Sequence, residues 1–140
     1  YALHPRGRVL LVPATKEGLF RQIASALATG NQIVIDSAAN LEGVLPSLPA
    51  SVVTRISWSS DWNADGPFSA ALIEGDAERV TLVNSRIASL DGPLVLVQST
   101  TTENLTHYHE AFCLNWLLEE VTTSINTTAA GGNASLMTIG

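Results

Sequence analysis

The sequence predicts one α/β domain over residues 1–123, with a parallel sheet covered by helices on both faces, followed by an extended C-terminal tail over 124–140. Three observations favour this class. The chain has 140 residues, the length of one domain. Segments with helical periodicity alternate with short apolar segments. Most of these short segments are continuous apolar runs, as in parallel strands buried on both faces. Together they indicate a Rossmann-like domain.

The first half of the domain is predicted to run strand, helix, strand. Arg8–Val12 and Gln32–Asp36 are short apolar runs that predict strands. The segment 17–28 between them has apolar residues at helical spacing and is followed by a glycine that can end a helix. These residues are Leu19, Ile23, Leu27 and Gly30.

The middle of the chain is predicted to contain two further strands separated by a loop. The segment 41–45 predicts a short helical turn that Pro46 ends. Alternation of residue character over 52–58 predicts the third strand. A polar loop over 59–67 then leads to a fourth, apolar strand over 68–74.

The second long helix is predicted to begin after Asp76, a good N-cap residue, and to end at the Asp-Gly-Pro sequence of 91–93. Its apolar positions face one way and are Val80, Val83, Ile87 and Leu90. A fifth strand is predicted over 94–98, a polar loop over 100–106 and a last helix over 106–118. The inward residues of that last helix are Tyr108, Phe112 and either Trp116 or Leu117.

The C-terminal tail is predicted to be extended and apolar at both of its ends. Residues 121–125 are β-branched in character, 136–139 are apolar, and Gly131-Gly132 between them suits positive φ or close backbone approach. One interpretation is a frayed terminus or a hairpin across the two glycines. The other is a strand that joins the sheet edge of another domain, with main-chain hydrogen bonds supplying affinity.

The segment 126–140, Asn-Thr-Thr-Ala-Ala-Gly-Gly-Asn-Ala-Ser-Leu-Met-Thr-Ile-Gly, resembles almost letter for letter the C-terminal motif of the proline utilization A family. Members of this family are flavoenzymes fused to an aldehyde dehydrogenase, and they oxidise proline to glutamate. The segment 3–10, Leu-His-Pro-Arg-Gly-Arg-Val-Leu, is similar to the point at which longer members enter an extra C-terminal domain. The middle of the chain is a weaker match.

The resemblance implies a domain similar in fold to the NAD-binding domain of aldehyde dehydrogenases, without catalytic residues of its own, that covers the tunnel between two active sites. It implies FAD and NAD in the full-length enzyme but no cofactor in this chain. The implied partners are the proline dehydrogenase and aldehyde dehydrogenase domains of the same polypeptide. The implied docking residues of the tail are Asn126, Gly131, Gly132, Asn133, Leu136, Met137 and Ile139.

Composition bounds the partners of the chain. The formal net charge is -6 with only seven Lys and Arg, so the surface would repel nucleic acid. No apolar run reaches the roughly 18 residues of a membrane span. There is no signal peptide, and the single Cys113 fits a reducing compartment. We therefore expect a cytoplasmic protein that binds no nucleic acid.

The ends of the sequence indicate a piece of a longer polypeptide. Tyr1 is not an initiator Met, and Gly140 completes the family motif. An unpaired apolar strand tends to pair with an exposed edge of a β-sheet. In the excised chain we therefore expect residues 131–140 either to be disordered or to pair with a second copy, giving a strand-exchanged homodimer.

The sequence also predicts a nucleotide fold that has lost its nucleotide. Dinucleotide binding needs a glycine-rich turn after the first strand, whereas the turn at 13–18 has one glycine at its far end. Asp36 lies where a ribose-binding acid often falls, about 24 residues after the first strand. We favour a role for Asp36 in capping the turn to Ser37.

No metal or catalytic site is predicted. The segment 61–66 matches the first half of a calcium loop, but Leu72 stands where the bidentate acid is required. Zinc ligand types occur at His107, His109, Glu110 and Cys113, and His109 and Cys113 would share one helical face. A structural zinc site needs four ligands in closed geometry, and the chain offers no second cluster beyond His4. Cys113, predicted in mid-helix, lacks the cationic neighbour that activates a thiol.

Three hypotheses of function follow. The first, based on the resemblance, is a non-catalytic domain that seals a substrate-channelling tunnel. The second is a minimal or vestigial NAD-binding domain, which the missing glycine turn disfavours. The third is a regulatory ligand-binding module whose pocket Thr15, Asp36 and Ser99 would line.

Overall fold

In a computed structural model of the chain, which describes residues 2–107 and 112–121, a five-stranded parallel sheet forms the centre of the molecule. The strands in chain order are β1 (Ala2–Pro5), β2 (Arg8–Val12), β3 (Gln32–Asp36), β4 (Ile56–Ser59), β5 (Ala70–Glu74), β6 (Leu96–Thr100) and β7 (Leu118–Val121). The central sheet has the order β4-β3-β2-β5-β6, and every pairing in it is parallel. Strands β1 and β7 form a separate antiparallel pair.

The first four helices lie between successive parallel strands, and the fifth follows the last of them. They are α1 (Lys16–Ala28), α2 (Ala50–Val53), α3 (Trp62–Asp65), α4 (Ala77–Ala88) and α5 (Thr102–His107). Short 3-10 helices occupy Ser37–Ala39, Glu42–Ser47 and Leu114–Leu117.

Each face of the sheet carries its own apolar cluster, which confirms the predicted α/β class with helices on both faces. On one face, side chains of β2, β3 and β5 pack against Leu19 and Ile23 of α1 and Leu105 of α5. On the other face, they pack against Trp62 of α3 and Ile87 of α4. Because successive side chains of a strand point to opposite faces, each central strand contributes to both clusters.

The two long helices begin at residues that satisfy their first amide groups, as helix termini require. The Thr15 hydroxyl accepts a 3.0 Å hydrogen bond from the nitrogen of Gly18 at the start of α1. Asp76 Oδ1 accepts a 2.8 Å bond from the nitrogen of Arg79, which confirms the predicted cap of α4. Helix α1 ends before Gly30, whose φ of 75° is the left-handed value that favours glycine.

Several predicted segments were wrong or only partly right. The loop expected over 59–67 contains α3, the turn expected to end at Pro46 continues to Ser47, and the strand expected over 94–98 lies at Leu96–Thr100. The strand expected over 52–58 begins only at Ile56, because α2 ends at Val53. The loop expected over 100–106 contains α5, which packs Leu105 into the core. Of the helix expected over 106–118, residues 106–107 form the end of α5, whereas residues 112–118 contain a 3-10 helix that leads directly into β7.

The antiparallel pair of β1 and β7 was not predicted. Its register places Ala2 opposite Val121 and Pro5 opposite Leu118. Buried Asn31 joins this pair to the rest of the domain, since its Nδ2 donates to Leu117 O at 2.8 Å. The predicted tail lies outside the described residues, together with the docking residues Asn126, Gly131, Gly132, Asn133, Leu136, Met137 and Ile139.

Candidate functional site

The carboxyl end of the sheet between β2 and β5 is the candidate site, because the strand order reverses there. From β2 the chain moves outward to β3 and β4, whereas β5 and β6 lie on the other side. In open parallel sheets ligands bind at this position, close to the turn that follows the first strand. Here the turn is 13–15, and α1 begins directly after it.

A buried carboxylate fills this position. Glu74, the last residue of β5, is fully buried, with 0% of its surface exposed. Its Oε1 accepts hydrogen bonds from the nitrogens of Ala14 at 2.7 Å and Thr15 at 2.9 Å. Its Oε2 accepts hydrogen bonds from the hydroxyls of Thr15 and Thr102, both at 2.7 Å. The carboxylate is therefore bound by four donors from two segments of the chain, the turn after β2 and the start of α5.

Gly18 allows this close approach. A Cβ atom placed on Gly18 would overlap Oε1 of Glu74. Gly18, the single glycine of the predicted 13–18 turn, lies in the first turn of α1 and makes room there for a carboxylate from the protein itself. Thr15 completes the arrangement, because its hydroxyl donates to Glu74 while accepting from the nitrogen of Gly18 at 3.0 Å.

Electrostatics favour the ionised form of Glu74. Burial on its own raises the pKa of Glu74. The hydrogen bonds from Ala14, Thr102 and Thr15 lower it by more, so the pKa lies below the ordinary value for glutamate. The amino end of α1 carries a partial positive charge that also suits an anion.

The arrangement has the chemistry of a phosphate cradle with an internal anion in place. Main-chain amides after the first strand and a helix amino terminus are the groups that hold a pyrophosphate in dinucleotide-binding domains. In this chain the amides of Ala14 and Thr15, directly before the amino end of α1, donate to Glu74. Because both of its oxygens are engaged and buried, Glu74 is a structural acceptor and not an accessible proton acceptor.

Arg79 closes the same end of the sheet by binding main-chain oxygens. Its Nε donates to Glu74 O at 2.9 Å, and one terminal nitrogen donates to Pro13 O at 3.0 Å. The stem of Arg79 covers Gly75, where a Cβ atom would crowd the Arg79 Cδ and Cγ atoms at 2.5 and 2.9 Å. The segments after β2 and β5 are thereby held together at the reversal point.

Asp36 is held differently from the prediction. It is buried, and its Oδ1 accepts a 3.2 Å hydrogen bond from Nε1 of Trp62. Its side chain makes no capping bond to the Ser37–Ala39 turn, so the predicted cap was wrong. The guanidinium group of Arg86 lies over the Trp62 ring, 3.5 Å from its centre. Of the three residues suggested for a regulatory pocket, Thr15 binds Glu74, Asp36 binds Trp62, and Ser99 is exposed on β6.

Asp61 and Cys113, which were weighed as metal ligands, lie in the described part of the chain. Asp61 Oδ1 accepts from the nitrogens of Asn63 and Ala64, so it caps α3. Cys113 is exposed and precedes a 3-10 helix, so its predicted mid-helix position was wrong. Its main chain exchanges two hydrogen bonds with the side-chain amide of Gln98. Within 2–107 and 112–121 no three His, Cys, Asp or Glu residues lie close enough to hold a metal ion. His109 and Glu110 lie outside these ranges.

Sequence reasoning missed Glu74 and Thr102. The available signal was an acidic residue at the end of an apolar strand, together with a lone glycine in the turn after the first parallel strand. The contact between the two depends on the pairing of β2 with β5, which a linear pattern does not specify.

In the described part of the chain no helix is both long and apolar enough to cross a membrane.

Comparison with known proteins gives relatives of one kind. The sequence matches no family profile. It is 60% identical over 140 residues to the bifunctional protein PutA of Rhizobium meliloti, covering 100% of this chain and 11% of that protein. It is 34% identical over 141 residues to the protein of the same name from Escherichia coli strain K12, covering 100% of this chain and 10% of that protein. The corresponding protein of Salmonella typhimurium is 33% identical over 141 residues, with the same coverage. The chain thus spans about a tenth of the length of these relatives, and the resemblance to proline utilization A is confirmed.

Proposed function

We propose that this chain is the non-catalytic C-terminal domain of a bifunctional enzyme of the PutA type, which oxidises proline to glutamate. In this role the domain supports the aldehyde dehydrogenase domain and seals the tunnel through which the intermediate passes. The similarity to PutA proteins along the whole chain supports the parent enzyme. FAD and NAD are bound by other domains of that enzyme, and the cytoplasm is its location.

The bonded Glu74 carboxylate is the observation that carries the non-catalytic part of the proposal. A dinucleotide entering at the reversal point would have to displace a buried anion that four donors hold. It would also bring a second negative charge to that anion, which costs further free energy in a buried site. A vestigial nucleotide-binding domain that now acts as a structural element fits this arrangement better than a minimal NAD-binding enzyme.

Containment supplies the physical benefit of a sealing domain. An intermediate confined to a closed path reaches the second site at a high effective concentration instead of diffusing away. The domain needs no reactive group for this purpose. It needs a stable core and a segment that docks on its neighbours, and the apolar residues of the tail suit docking.

The test uses the full-length polypeptide without residues 124–140. Flavin-dependent proline oxidation should stay nearly intact, because it occurs elsewhere in the enzyme. With proline as substrate, a lag should appear before NADH forms, and an added amine should trap more intermediate. Normal aldehyde oxidation with no lag and no extra trapping would contradict the sealing function.

A matched pair of triple variants separates docking from added charge. Asp at Leu136, Met137 and Ile139 should reproduce the deletion, since each apolar side chain contributes roughly 1.5 to 3 kcal/mol if buried. Asp at the polar positions Thr127, Thr128 and Ser135 adds the same charge and should produce no lag, as in the parent enzyme. NAD titration should give one bound NAD per polypeptide, and a second site would favour the NAD-binding alternative.

A further inference from the structure

A cavity lies at the opposite end of the sheet from Glu74. It has a volume of about 550 Å³ and opens at the amino ends of β2, β3 and β4. The residues that give it its chemical character are Arg8, Gln32, Arg55, Ser57 and Asp65. Its volume falls in the range of about 300 to 1,000 Å³ that is typical of small-molecule sites.

The cavity exists because little covers this part of the sheet. The connection from β4 to β5, residues 60–69, contains only the one-turn helix α3. Trp62 of α3 packs near the middle of the sheet, against Leu10 and Val34. Gln32 and Ser57 share the face of Val34 by the alternation of the strands, and both are exposed. A polar strip of sheet is thus left open beside an apolar core.

Two guanidinium groups line the cavity without an ion-pair partner among the described residues. Arg8 donates from one terminal nitrogen to Asp65 O at 2.6 Å and to Gly66 O at 3.5 Å. Arg55 donates from one terminal nitrogen to Asn31 O at 3.3 Å. These bonds orient the side chains through main-chain oxygens. Because a guanidinium has five N–H donors, donors remain on both for a ligand.

The net charge of the side chains that line the cavity indicates which class of ligand it binds. The two arginines and the carboxylate of Asp65 sum to a single positive charge at this cavity. A singly charged carboxylate matches that sum, whereas a doubly charged phosphate exceeds it. Planar guanidinium groups also bind carboxylates through paired hydrogen bonds. We propose that this cavity binds a small organic carboxylate through Arg8 and Arg55, with Ser57 and Gln32 as neutral partners.

Chemical modification of arginine tests the proposal in the full-length polypeptide. Phenylglyoxal is applied with and without propionate as the probe, and peptide mass spectrometry gives the modification rate at each arginine. At twice the dissociation constant, propionate should slow modification of Arg8 and Arg55 about threefold, by simple occupancy. Arg86, which lies over Trp62, should not be protected. Neutral propionamide should protect none of them.

A variant with a negative charge in the cavity provides the second part of the test. Ser57→Asp should abolish the protection, because the added carboxylate competes for the same guanidinium groups. Ser60→Asp adds the same charge just beyond the end of β4 and should leave the protection intact. Absence of protection in the parent protein would overturn the proposal, as would equal protection of Arg86 or stronger protection by phosphate. Protection that survives Ser57→Asp would overturn it as well.

Discussion

Oε1 of Glu74 lies 2.7 Å from the main-chain nitrogen of Ala14, although the two residues belong to segments 60 positions apart in the chain. This contact joins the end of β5 to the turn after β2, where a bound anion would be expected in a nucleotide-binding domain. A group that other proteins take from a ligand is here supplied by the chain. The stability of the domain should therefore depend on this carboxylate.

Glu74→Gln keeps the shape of the side chain and removes its charge. We expect the free energy of unfolding to fall by about 1.5 to 3 kcal/mol, the usual range for hydrogen bonds to a charged group. Urea denaturation of the two proteins measures the difference. Glu78→Gln, at an exposed position in the first turn of α4, is the control and should change stability by no more than about 1 kcal/mol, the usual contribution of an exposed charge near a helix amino end. Equal stability of Glu74→Gln and the parent protein would refute a structural role for the charge.

Gly18→Ala tests the close approach of the carboxylate. In an ordinary helix, replacing Gly by Ala stabilises by roughly 0.5 to 1 kcal/mol. Here the new methyl group would overlap Glu74 Oε1, so the sign should reverse and unfolding should become easier. Gly43→Ala is the control, because a Cβ atom there meets nothing within 4 Å. In a double-mutant cycle, Glu74→Ala should relieve much of the cost of Gly18→Ala, and strict additivity would contradict the overlap.

The pH dependence of stability follows from the lowered pKa of Glu74. In the unfolded chain a glutamate has a pKa of about 4.3, which is above the pKa of Glu74 in the folded protein. The ionised group therefore stabilises the fold fully above about pH 5, and this contribution is lost as the pH falls through the folded pKa. The stability difference between the parent protein and Glu74→Gln should be constant near pH 7 and shrink below about pH 4.3. A difference that is the same at pH 7 and pH 3 would show that the charge of Glu74 does not cause it.

Asn31→Asp should loosen the antiparallel pair of β1 and β7. Asn31 donates to Leu117 O at 2.8 Å, and a carboxylate there would place oxygen against oxygen. We expect a loss of about 1 to 3 kcal/mol, the cost of leaving a buried polar group unsatisfied, and faster hydrogen exchange at the amides of β7. Asn84→Asp, exposed on α4, should leave both quantities near their parent values. Unchanged exchange in β7 would mean that Asn31 does not anchor this pair.

The parts of the fold that local patterns specify could be predicted from the sequence. Strands β2 and β3 were predicted with their observed bounds, and α1 and α4 to within a residue or a few at each end. Their apolar spacing, the cap at Asp76 and the glycine after α1 are all signals contained in a few neighbouring residues.

The parts that depend on distant pairing could not be predicted. Strand β1 meets β7 across more than a hundred residues, and neither is long or apolar enough to stand out alone. Helix α5 is short and consists largely of weak helix formers, so its position against the core decides its structure. The role of Glu74 depends on two such contacts at once, with the turn after β2 and with Thr102.

The register of β1 with β7 also determines how the domain transmits force. Ala2 lies directly opposite Val121, so the entering and leaving strands of the described domain are side by side at one point. Tension applied at these two residues would load the ladder from that end, one hydrogen bond after another, as a zipper opens. Within the described residues β1 and β7 pair with each other and not with the parallel sheet. Opening of this pair would therefore break none of the strand pairings that hold the carboxylate site.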